Sequence, residues 1–588
     1  MDKPKPAGRR RIPYFYRFKS MGFYVSFSSG FRWGMMVVMA VFLCGSLKAQ
    51  IQFDPPIQGP WVLSGTFGEL RNNHFHAGLD FKTGGQEGMS ILAAADGCLS
   101  RIRQGPAGYG LALYLDHDTL FTSVYAHLHH AEPLVAAFLD SLQWANRRFE
   151  IDTVVDSGRF CFEKGAVIGI SGNSGSSEGP HLHFEIRDRS TQDPLNPLPF
   201  LGQISDSIAP VIRQVAIYRK LGSRFEFEKL ADSCSNGSDT VFLNTTSASC
   251  GVAIGVTDPE RLGIYRIEWT INDTAFGVFR FDRFNYNETR YANAHGAQVQ
   301  QTRSTGVKLH RLYRLPGDSC SMFRDAVECI LNFGEYSDTQ HVRIVCLDAH
   351  GNRDSLILAV VFTPEEIGGL LKDGSDKGRL LAFGKGHKLV FHEGVELELT
   401  ERALYQDELL SDSLHPVTEG DHRFHPIMIG LQTSFHESQS LTLALPVHLR
   451  KNETNLVALR CDSVGGRVRE VLLPTRLVGA HAIFKIRSGG WYALSEDSIP
   501  PRVDALNRLR DEVDDQLYDQ CRISDEGSGI ARYEVFRNHR WILAEFDAKS
   551  GRLRWKPDPP SAGPYLISIV LEDKCGNRSR FDCVEYQP

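Results

Sequence analysis

The sequence predicts a mainly β protein, with an antiparallel β domain near the N-terminus and β modules behind it. Two observations lead to this fold class. Histidine-containing motifs in the first 200 residues alternate with apolar residues at a period of two, which is typical of half-buried strands. Beyond Phe200, short alternating runs are separated by turn-forming residues, and one set of turn landmarks occurs twice.

The N-terminal residues carry a pattern that bears on where the protein is located in the cell. Residues 37–47 (VVMAVFLCGSL) form an apolar stretch that follows Arg32 and ends at Lys48-Ala49-Gln50. This pattern predicts a secretory signal cleaved near Ala49, and the stretch is short for a membrane span. We therefore expect residues 1–49 to be an N-terminal extension and signal peptide. The mature chain is expected to be exported to the periplasm or cell envelope, or secreted, without a stable transmembrane span.

Composition excludes one class of partner and permits disulfides. The 588 residues include 42% hydrophobic residues and carry a formal net charge of -6, so the basic excess expected for nucleic-acid binding is absent. The twelve cysteines are scattered, which disfavours a cysteine zinc site. An oxidising compartment permits disulfides, and the local candidate pairs are Cys234 with Cys250, Cys320 with Cys329, and Cys575 with Cys583.

Three motifs carry the residues for chemistry: HAGLD at 76–80, YAHL at 125–128 and HLHFE at 181–185. Because residues two apart on a strand share a face, His181 and His183 project together while Leu182 and Phe184 point toward a core. The same rule groups His76, Gly78 and Asp80, and Gly78 leaves room beside them. A catalytic zinc needs three such ligands and an open fourth position, and two further histidines remain for proton transfer and oxyanion stabilisation.

These motifs resemble those of the zinc metallopeptidases of the LytM or lysostaphin type, peptidase family M23. The resemblance extends to the glycine framework at 88–97, Tyr109-Gly110 and 164–175. It implies an antiparallel, duplicated-hybrid-motif-like β peptidase domain over residues 50–203 that cuts peptide cross-links of bacterial cell walls. It also implies that His76, Asp80 and His183 bind Zn²⁺ and that His127 and His181 are the catalytic histidines.

Other polar residues near the motifs are interpreted as structural. His74 is expected on the rim of the site, His117 in structural hydrogen bonds, and His129 and His130 in a polar loop. Glu185 and Arg187 share a face with His183, so they either orient a ligand or form a solvated strand end.

The connection between Leu128 and Lys164 is longer than the family pattern. Its first half is predicted to form a surface helix at the domain edge. The alternative is a lid over the substrate groove, which would make the peptidase autoinhibited.

An internal repeat organises the rest of the chain. Landmarks that start at Asp206, Asp258 and Asp348 recur in the same order at Asp497, Asp525 and Asp573. The alternating run at 565–571 (YLISIVL) favours an antiparallel sandwich. We expect modules that resemble bacterial immunoglobulin-like or fibronectin-like domains at 204–363, with insertions, and at 496–588. A β module of unknown fold is expected between them, at 375–495.

Three functions are consistent with this sequence. The first is an exported zinc endopeptidase that hydrolyses peptide cross-links of peptidoglycan, whose C-terminal modules contact other proteins. The second is a non-hydrolytic or autoinhibited LytM-type regulator of another cell-wall hydrolase. The third is an adhesin-like surface protein whose β modules carry the function.

Overall fold

The structure is a computed structural model. It describes residues 52–588 except for 233–239, 298–306, 325–326, 335–337, 365–377, 392–393, 412–422, 446–454, 465–466, 558–564 and 586–588. The predicted signal peptide and Cys234 lie outside the described residues. Everything that is described belongs to one compact unit, Gln52–Pro588. Among these residues, no helix is both long enough and apolar enough to cross a membrane.

The first part of the chain forms one large antiparallel sheet around an apolar core. The strands of this part of the chain are β1 Leu63–Gly65, β2 Leu70–Arg71, β3 His74–Phe75, β4 Leu79–Lys82, β5 Ser90–Leu92, β6 Gly97–Gln104, β7 Leu111–Asp116, β8 Phe121–Ala131, β9 Ile151–Val154, β10 Cys161–Phe162, β11 Val167–Ser171, β12 His181–Asp188 and β13 Pro194–Leu195. The central order is β1-β4-β12-β8-β7-β6-β10, whereas β2 and β3 form a separate hairpin. Leu79, Leu182 and Phe184 are fully buried, so the apolar side of the two motif strands faces the core, as the alternation predicts.

The long connection after β8 forms helix α1, Pro133–Asn146, as predicted. Glu132 caps its first turn through hydrogen bonds from the backbone N–H groups of Leu134 and Val135. Leu139 is buried, whereas Trp144 is half exposed and packs edge-on against Trp541 of the last module, with 5.2 Å between ring centroids. The first half of the connection thus forms a surface helix, and its second half contains β9 and β10.

Two sheets follow in residues 211–362. The first contains β14 Val211–Leu221, β15 Arg224–Asp232, β17 Ser249–Thr257, β20 Gly296–Ala297, β21 Leu309–Arg311 and β23 Ile330–Asn332. The second contains β16 Thr240–Thr245, β18 Arg266–Ile271, β19 Ala275–Arg280, β22 Phe323–Arg324, β24 Asp338–Leu347 and β25 Arg353–Phe362. The short helices that lie wholly within the residues that the structure describes are the 3₁₀ turns Leu198–Phe200 and Tyr286–Tyr291 and helix α2, Ala292–His295.

The remaining strands form four more sheets. Strands β26 Gly378–Leu381 and β29 Glu408–Ser411 pair with each other; a seven-stranded sheet contains β27 His387–Val390, β28 Val395–Leu399, β30 Arg423–Ala444, β31 Leu456–Val464, β32 Arg467–Leu473, β33 Thr475–Val478 and β34 His481–Glu496. The next sheet has five strands, β35 Arg502–Val503, β36 Asn507–Arg510, β37 Leu517–Ser524, β40 Glu545–Asp547 and β41 Arg552–Trp555. The last sheet has four strands, β38 Ile530–Arg537, β39 Arg540–Ile542, β42 Tyr565–Asp573 and β43 Arg578–Glu585. The mainly β fold class is confirmed. The domain boundaries and the immunoglobulin-like nature of these modules stay predictions.

The repeated landmarks make the same hydrogen bonds in both copies. Oδ1 of Asp348 accepts from the backbone N–H groups of His350 and Asn352, and the Asn352 amide donates to the carbonyl of Asp206. In the second copy Asp573, Cys575, Asn577 and Asp497 take these four roles. These aspartates therefore cap turns that join the end of each copy to its beginning.

The disulfide candidates were wrong wherever the structure describes both cysteines. Cys320, Cys329, Cys575 and Cys583 are free thiols, as is Cys250. The bond that forms joins Cys98 to Cys161, which are directly opposite each other where β6 pairs with β10. Strand register, and not proximity in the sequence, determines this pairing.

Candidate metal centre

Strand β12 brings the motifs together because it lies between β4 and β8. His183 is opposite Asp80 of β4 on one side and Ala126 of β8 on the other. His181 is opposite Lys82, so both histidines face the same side of the sheet, as the period of two predicts. Gly78 permits the close approach of this strand, since a Cβ there would lie 2.2 Å from the carbonyl oxygen of Phe184.

Three buried side chains converge at one point. The Nε2 atom of His76 lies 3.0 Å from Nδ1 of His183 and 3.0 Å from Oδ1 of Asp80. Nδ1 of His183 lies 2.8 Å from the same Asp80 oxygen. The structure therefore brings together the three residues that the family resemblance implies as metal ligands.

The other ring nitrogen of each histidine is held by a hydrogen-bond acceptor. Nδ1 of His76 lies 2.8 Å from the carbonyl oxygen of Thr66, and Nε2 of His183 lies 2.9 Å from Oε1 of Glu185. Because a carbonyl or carboxylate oxygen only accepts, these nitrogens carry the protons and donate. With a metal ion bound, Nε2 of His76 and Nδ1 of His183 would be deprotonated and would present their lone pairs beside Asp80, which is the donor arrangement of a histidine-carboxylate metal site.

The electrostatics also favour a cation at this point. Burial alone would raise the pKa of Asp80, but the nearby imidazoles of His181, His183 and His76 outweigh it and hold that pKa far below its usual value. Burial would likewise lower the pKa of His183, but Asp80 and Glu185 outweigh it and raise the pKa to about 9. A bound metal ion would supply the positive charge that these carboxylates stabilise, so the residues fit the zinc that the sequence predicts.

His127 reaches the site through an irregularity in β8. The pairing of β8 with β7 and with β11 shifts register around this residue, and His127 adopts a left-handed backbone conformation with φ of 61°. Such a bulge re-aims a side chain. The imidazole of His127 is 4.8 Å from that of His181 and 6.0 Å from that of His183, measured between ring centroids.

The two remaining histidines also have fixed tautomers. Nδ1 of His127 donates to the carbonyl of Ser174 over 2.9 Å, and Nδ1 of His181 donates to the carbonyl of Gly179 over 2.8 Å. Each Nε2 is thereby left as a proton acceptor. Burial, with the nearby His183 and His181, lowers the pKa of His127 to about 3, so this ring is neutral at neutral pH.

Glu185 and Arg187 do not form a solvated strand end. Glu185 is 0% exposed and Arg187 is 6% exposed, and Nε of Arg187 donates to Oε2 of Glu185 over 2.7 Å. The hydroxyls of Tyr109 and Tyr286 complete the hydrogen bonds of this carboxylate. In the sequence Tyr109 stands out only as part of a glycine motif, and Tyr286 was not predicted, because it lies 101 residues beyond Glu185 and has no motif around it.

The neighbouring histidines occupy structural positions. His74 is exposed on the rim, and His117 bonds the carbonyl of Asp96 and the hydroxyl of Ser123, both as predicted. His129 and His130 are part of β8 and not of a polar loop, and His129 bonds Glu87 at 2.9 Å.

An open cleft of about 1240 Å³ gives access to the centre. Its lining includes all five predicted site residues, basic side chains such as Arg103, and Tyr286, Thr289 and Lys308 from beyond residue 204. Helix α1 contributes no residue to this lining, so it does not cover the cleft in this structure.

Part of this chain is similar in sequence to curated peptidases. No protein-family model matches the chain. An uncharacterized metalloprotease of Haemophilus influenzae is 30% identical over 111 residues, which are 19% of this chain and 18% of that protein. The DD-carboxypeptidase/endopeptidase Mpg of Neisseria meningitidis serogroup B is 33% identical over 130 residues, 22% of this chain and 23% of that protein. The chain thus spans about a fifth of the length of these curated relatives.

Catalytic domains of known structure are also weakly similar to this chain. The catalytic domain of the prophage-encoded M23 protein EnpA from Enterococcus faecalis is 21% identical, with a TM-score of 0.19, over 25% of this chain and 95% of that chain. The catalytic domain of lysostaphin from Staphylococcus simulans is 21% identical, with a TM-score of 0.18, over 24% and 92%.

The converging side chains and the similarity to curated relatives support a metallopeptidase function for this part of the chain. These similarities support the M23-type metallopeptidase, of the LytM and lysostaphin type, that the sequence motifs predict.

Proposed function

We propose that this protein is an exported zinc endopeptidase that hydrolyses peptide cross-links of bacterial peptidoglycan. The observation that carries the proposal is the convergence of His76 Nε2, His183 Nδ1 and Asp80 Oδ1 in an open cleft. The presence of His127 and His181 beside this point supports hydrolysis over a non-hydrolytic role, because both groups needed for proton transfer are in place.

The site residues divide the chemistry between them. His76, Asp80 and His183 would hold zinc, which supplies a Lewis acid that polarises the scissile carbonyl. The free Nε2 of His127 or His181 accepts the proton of the attacking water. The protonated ring then donates a hydrogen bond to the oxyanion and finally a proton to the leaving amine. The backbone carbonyls of Ser174 and Gly179 keep both rings in the orientation that this requires.

Two observations support export to the periplasm or envelope. The apolar stretch at 37–47 is typical of a secretory signal. The Cys98–Cys161 disulfide is of the kind that persists in oxidising compartments. The sequence similarity to a protein named DD-carboxypeptidase/endopeptidase supports the substrate class.

The test measures zinc content and hydrolysis of purified peptidoglycan for the parent chain and for His183→Ala and His127→Ala. We expect bound zinc and cleaved cross-links for the parent, loss of both for His183→Ala, and zinc without cleavage for His127→Ala. The control is His341→Ala, an exposed histidine far along the chain, which should behave as the parent does. Zinc without any cleavage by the parent would instead favour the regulator of another hydrolase.

A further inference from the structure

A short segment from the module beyond residue 204 is fastened to the peptidase domain. Asn285 caps the 3₁₀ turn Tyr286–Tyr291, and its side-chain amide donates to Oδ1 of Asp193 over 2.8 Å. Arg283 bonds the other oxygen of Asp193 at 2.9 Å. Both oxygens of one buried carboxylate therefore hold the start of this turn.

Apolar contacts hold the same segment from the other side. The ring of Phe284 lies 5.4 Å from that of Phe67 and 5.6 Å from that of Phe75, between centroids, and Phe284 is 1% exposed. The backbone N–H of Phe75 donates to the hydroxyl of Thr289. The position of the turn is thus fixed by polar and apolar contacts on both sides of Tyr286.

The hydroxyl of Tyr286 completes a closed hydrogen-bond network. It donates to Oε2 of Glu185 over 2.9 Å and accepts from Nη2 of Arg187 over 2.8 Å. The Arg187 guanidinium also lies over its ring, 4.9 Å from the centroid. Tyr109 donates to Oε1 of Glu185, the oxygen that accepts from His183. A fully buried carboxylate is therefore saturated by donors, one of which comes from outside the peptidase sheet.

We propose that Tyr286 is a positioning residue for the metal centre, so that the module at 204–363 is part of the catalytic unit and not a spacer. The inference rests on the proposed zinc site. Glu185 sets the orientation and tautomer of His183, and partners of this kind typically change metal affinity about 10- to 100-fold when they are removed. Without the Tyr286 hydroxyl, Glu185 loses a donor and Arg187 loses an acceptor in a buried site.

The experiment measures the zinc dissociation constant of the full chain by competition with a chromophoric chelator. Tyr286→Phe keeps the ring beneath Arg187 and removes the hydroxyl, and we expect its zinc dissociation constant to rise about 10-fold. The matched control is Tyr405→Phe. The Tyr405 hydroxyl is also buried and donates to the carbonyl of Arg290 in the same turn, but it does not touch Glu185. We expect its zinc affinity to equal that of the parent.

A double-mutant cycle separates positioning from a general structural role. If Tyr286 acts through Glu185, Tyr286→Phe has no further effect on zinc affinity in a Glu185→Gln background. Two results would overturn this inference and leave the proposed metal centre standing. In the first, the parent binds zinc and Tyr286→Phe binds it with the same affinity. In the second, the effects of Tyr286→Phe and Glu185→Gln on zinc affinity are additive. A parent chain that binds no zinc would overturn the proposed metal centre as well.

Discussion

Arg71 donates a hydrogen bond of 2.6 Å to Oδ2 of Asp80, the oxygen that does not approach the imidazoles. This contact joins the last residue of β2 to a residue of β4. It needs open space at Gly65, which is opposite Asp80 in the β1–β4 pairing. Arg71 thereby fixes the rotation of the carboxylate whose other oxygen faces His76 and His183.

Gly65→Ala is expected to weaken zinc binding about 10-fold or more, because it disturbs the Arg71–Asp80 pair. Loss of a group that orients a metal ligand typically has an effect of this size. The new Cβ would lie 2.2 Å from Nη2 of Arg71 and 2.3 Å from Oδ2 of Asp80, so the two side chains must separate. Gly105→Ala is the control, because a Cβ there meets nothing within 4 Å. Chelator competition measures both variants, and equal zinc affinities would show that Asp80 tolerates the displacement.

The sequence predicted those parts of the site that depend on local geometry. His181, His183, Leu182 and Phe184 follow from the period of two alone, and the family motifs name the rest. The position of His127 was not predictable in the same way, because its inward direction depends on a bulge that two neighbouring strands create.

Two features that the sequence did not predict, the burial of Glu185 and the disulfide, depend on contacts between residues far apart in the chain. Glu185 is buried because Tyr286 arrives from a distant segment, and Cys98 meets Cys161 through strand register across 63 residues. Neither contact leaves a local pattern. The cysteines nearest to each other in the sequence were therefore the wrong candidates.

The left-handed backbone of His127 predicts an unusual order of stabilities. A non-glycine residue in this region costs roughly 1 kcal/mol or more, so His127→Gly should be more stable than His127→Ala by about 1 kcal/mol. The matched pair is His181→Gly and His181→Ala on a regular strand, where glycine should be the less stable by about 0.5–1 kcal/mol. Urea unfolding of the four variants gives both differences. The same order at both positions would contradict the strained conformation of His127.

The Cys98–Cys161 disulfide closes a loop with a sequence separation of 63 residues. Its loss should lower the free energy of unfolding of the domain by about 4 kcal/mol, since the open chain gains entropy in the unfolded state. Urea unfolding of the parent with and without a reductant measures this. A Cys98→Ala/Cys161→Ala variant should be as unstable as the reduced parent and indifferent to reductant. A parent that is also indifferent would argue against the bond.

Asp318 predicts a pH dependence of stability outside the metal centre. Burial outweighs a hydrogen bond from the Cys320 N–H and raises the pKa of Asp318 from 3.8 to about 6. Its Oδ2 atom is buried without a hydrogen-bond partner among the described residues. Because the folded state holds this proton more tightly, its stabilising effect is complete below pH 4 and is lost as the pH rises through 6.

Asp318→Asn removes this titration while an amide oxygen can still accept from Cys320. Relative to the parent, the variant should gain up to about 3 kcal/mol between pH 4 and pH 7, since one pKa unit corresponds to about 1.4 kcal/mol. Urea unfolding at pH 4, 5, 6 and 7 follows the difference between the two proteins. We expect the difference in the free energy of unfolding to grow between pH 4 and pH 6 and then to level off. A difference that does not change with pH would show that the carboxyl of Asp318 ionises as easily in the folded protein as in the unfolded chain.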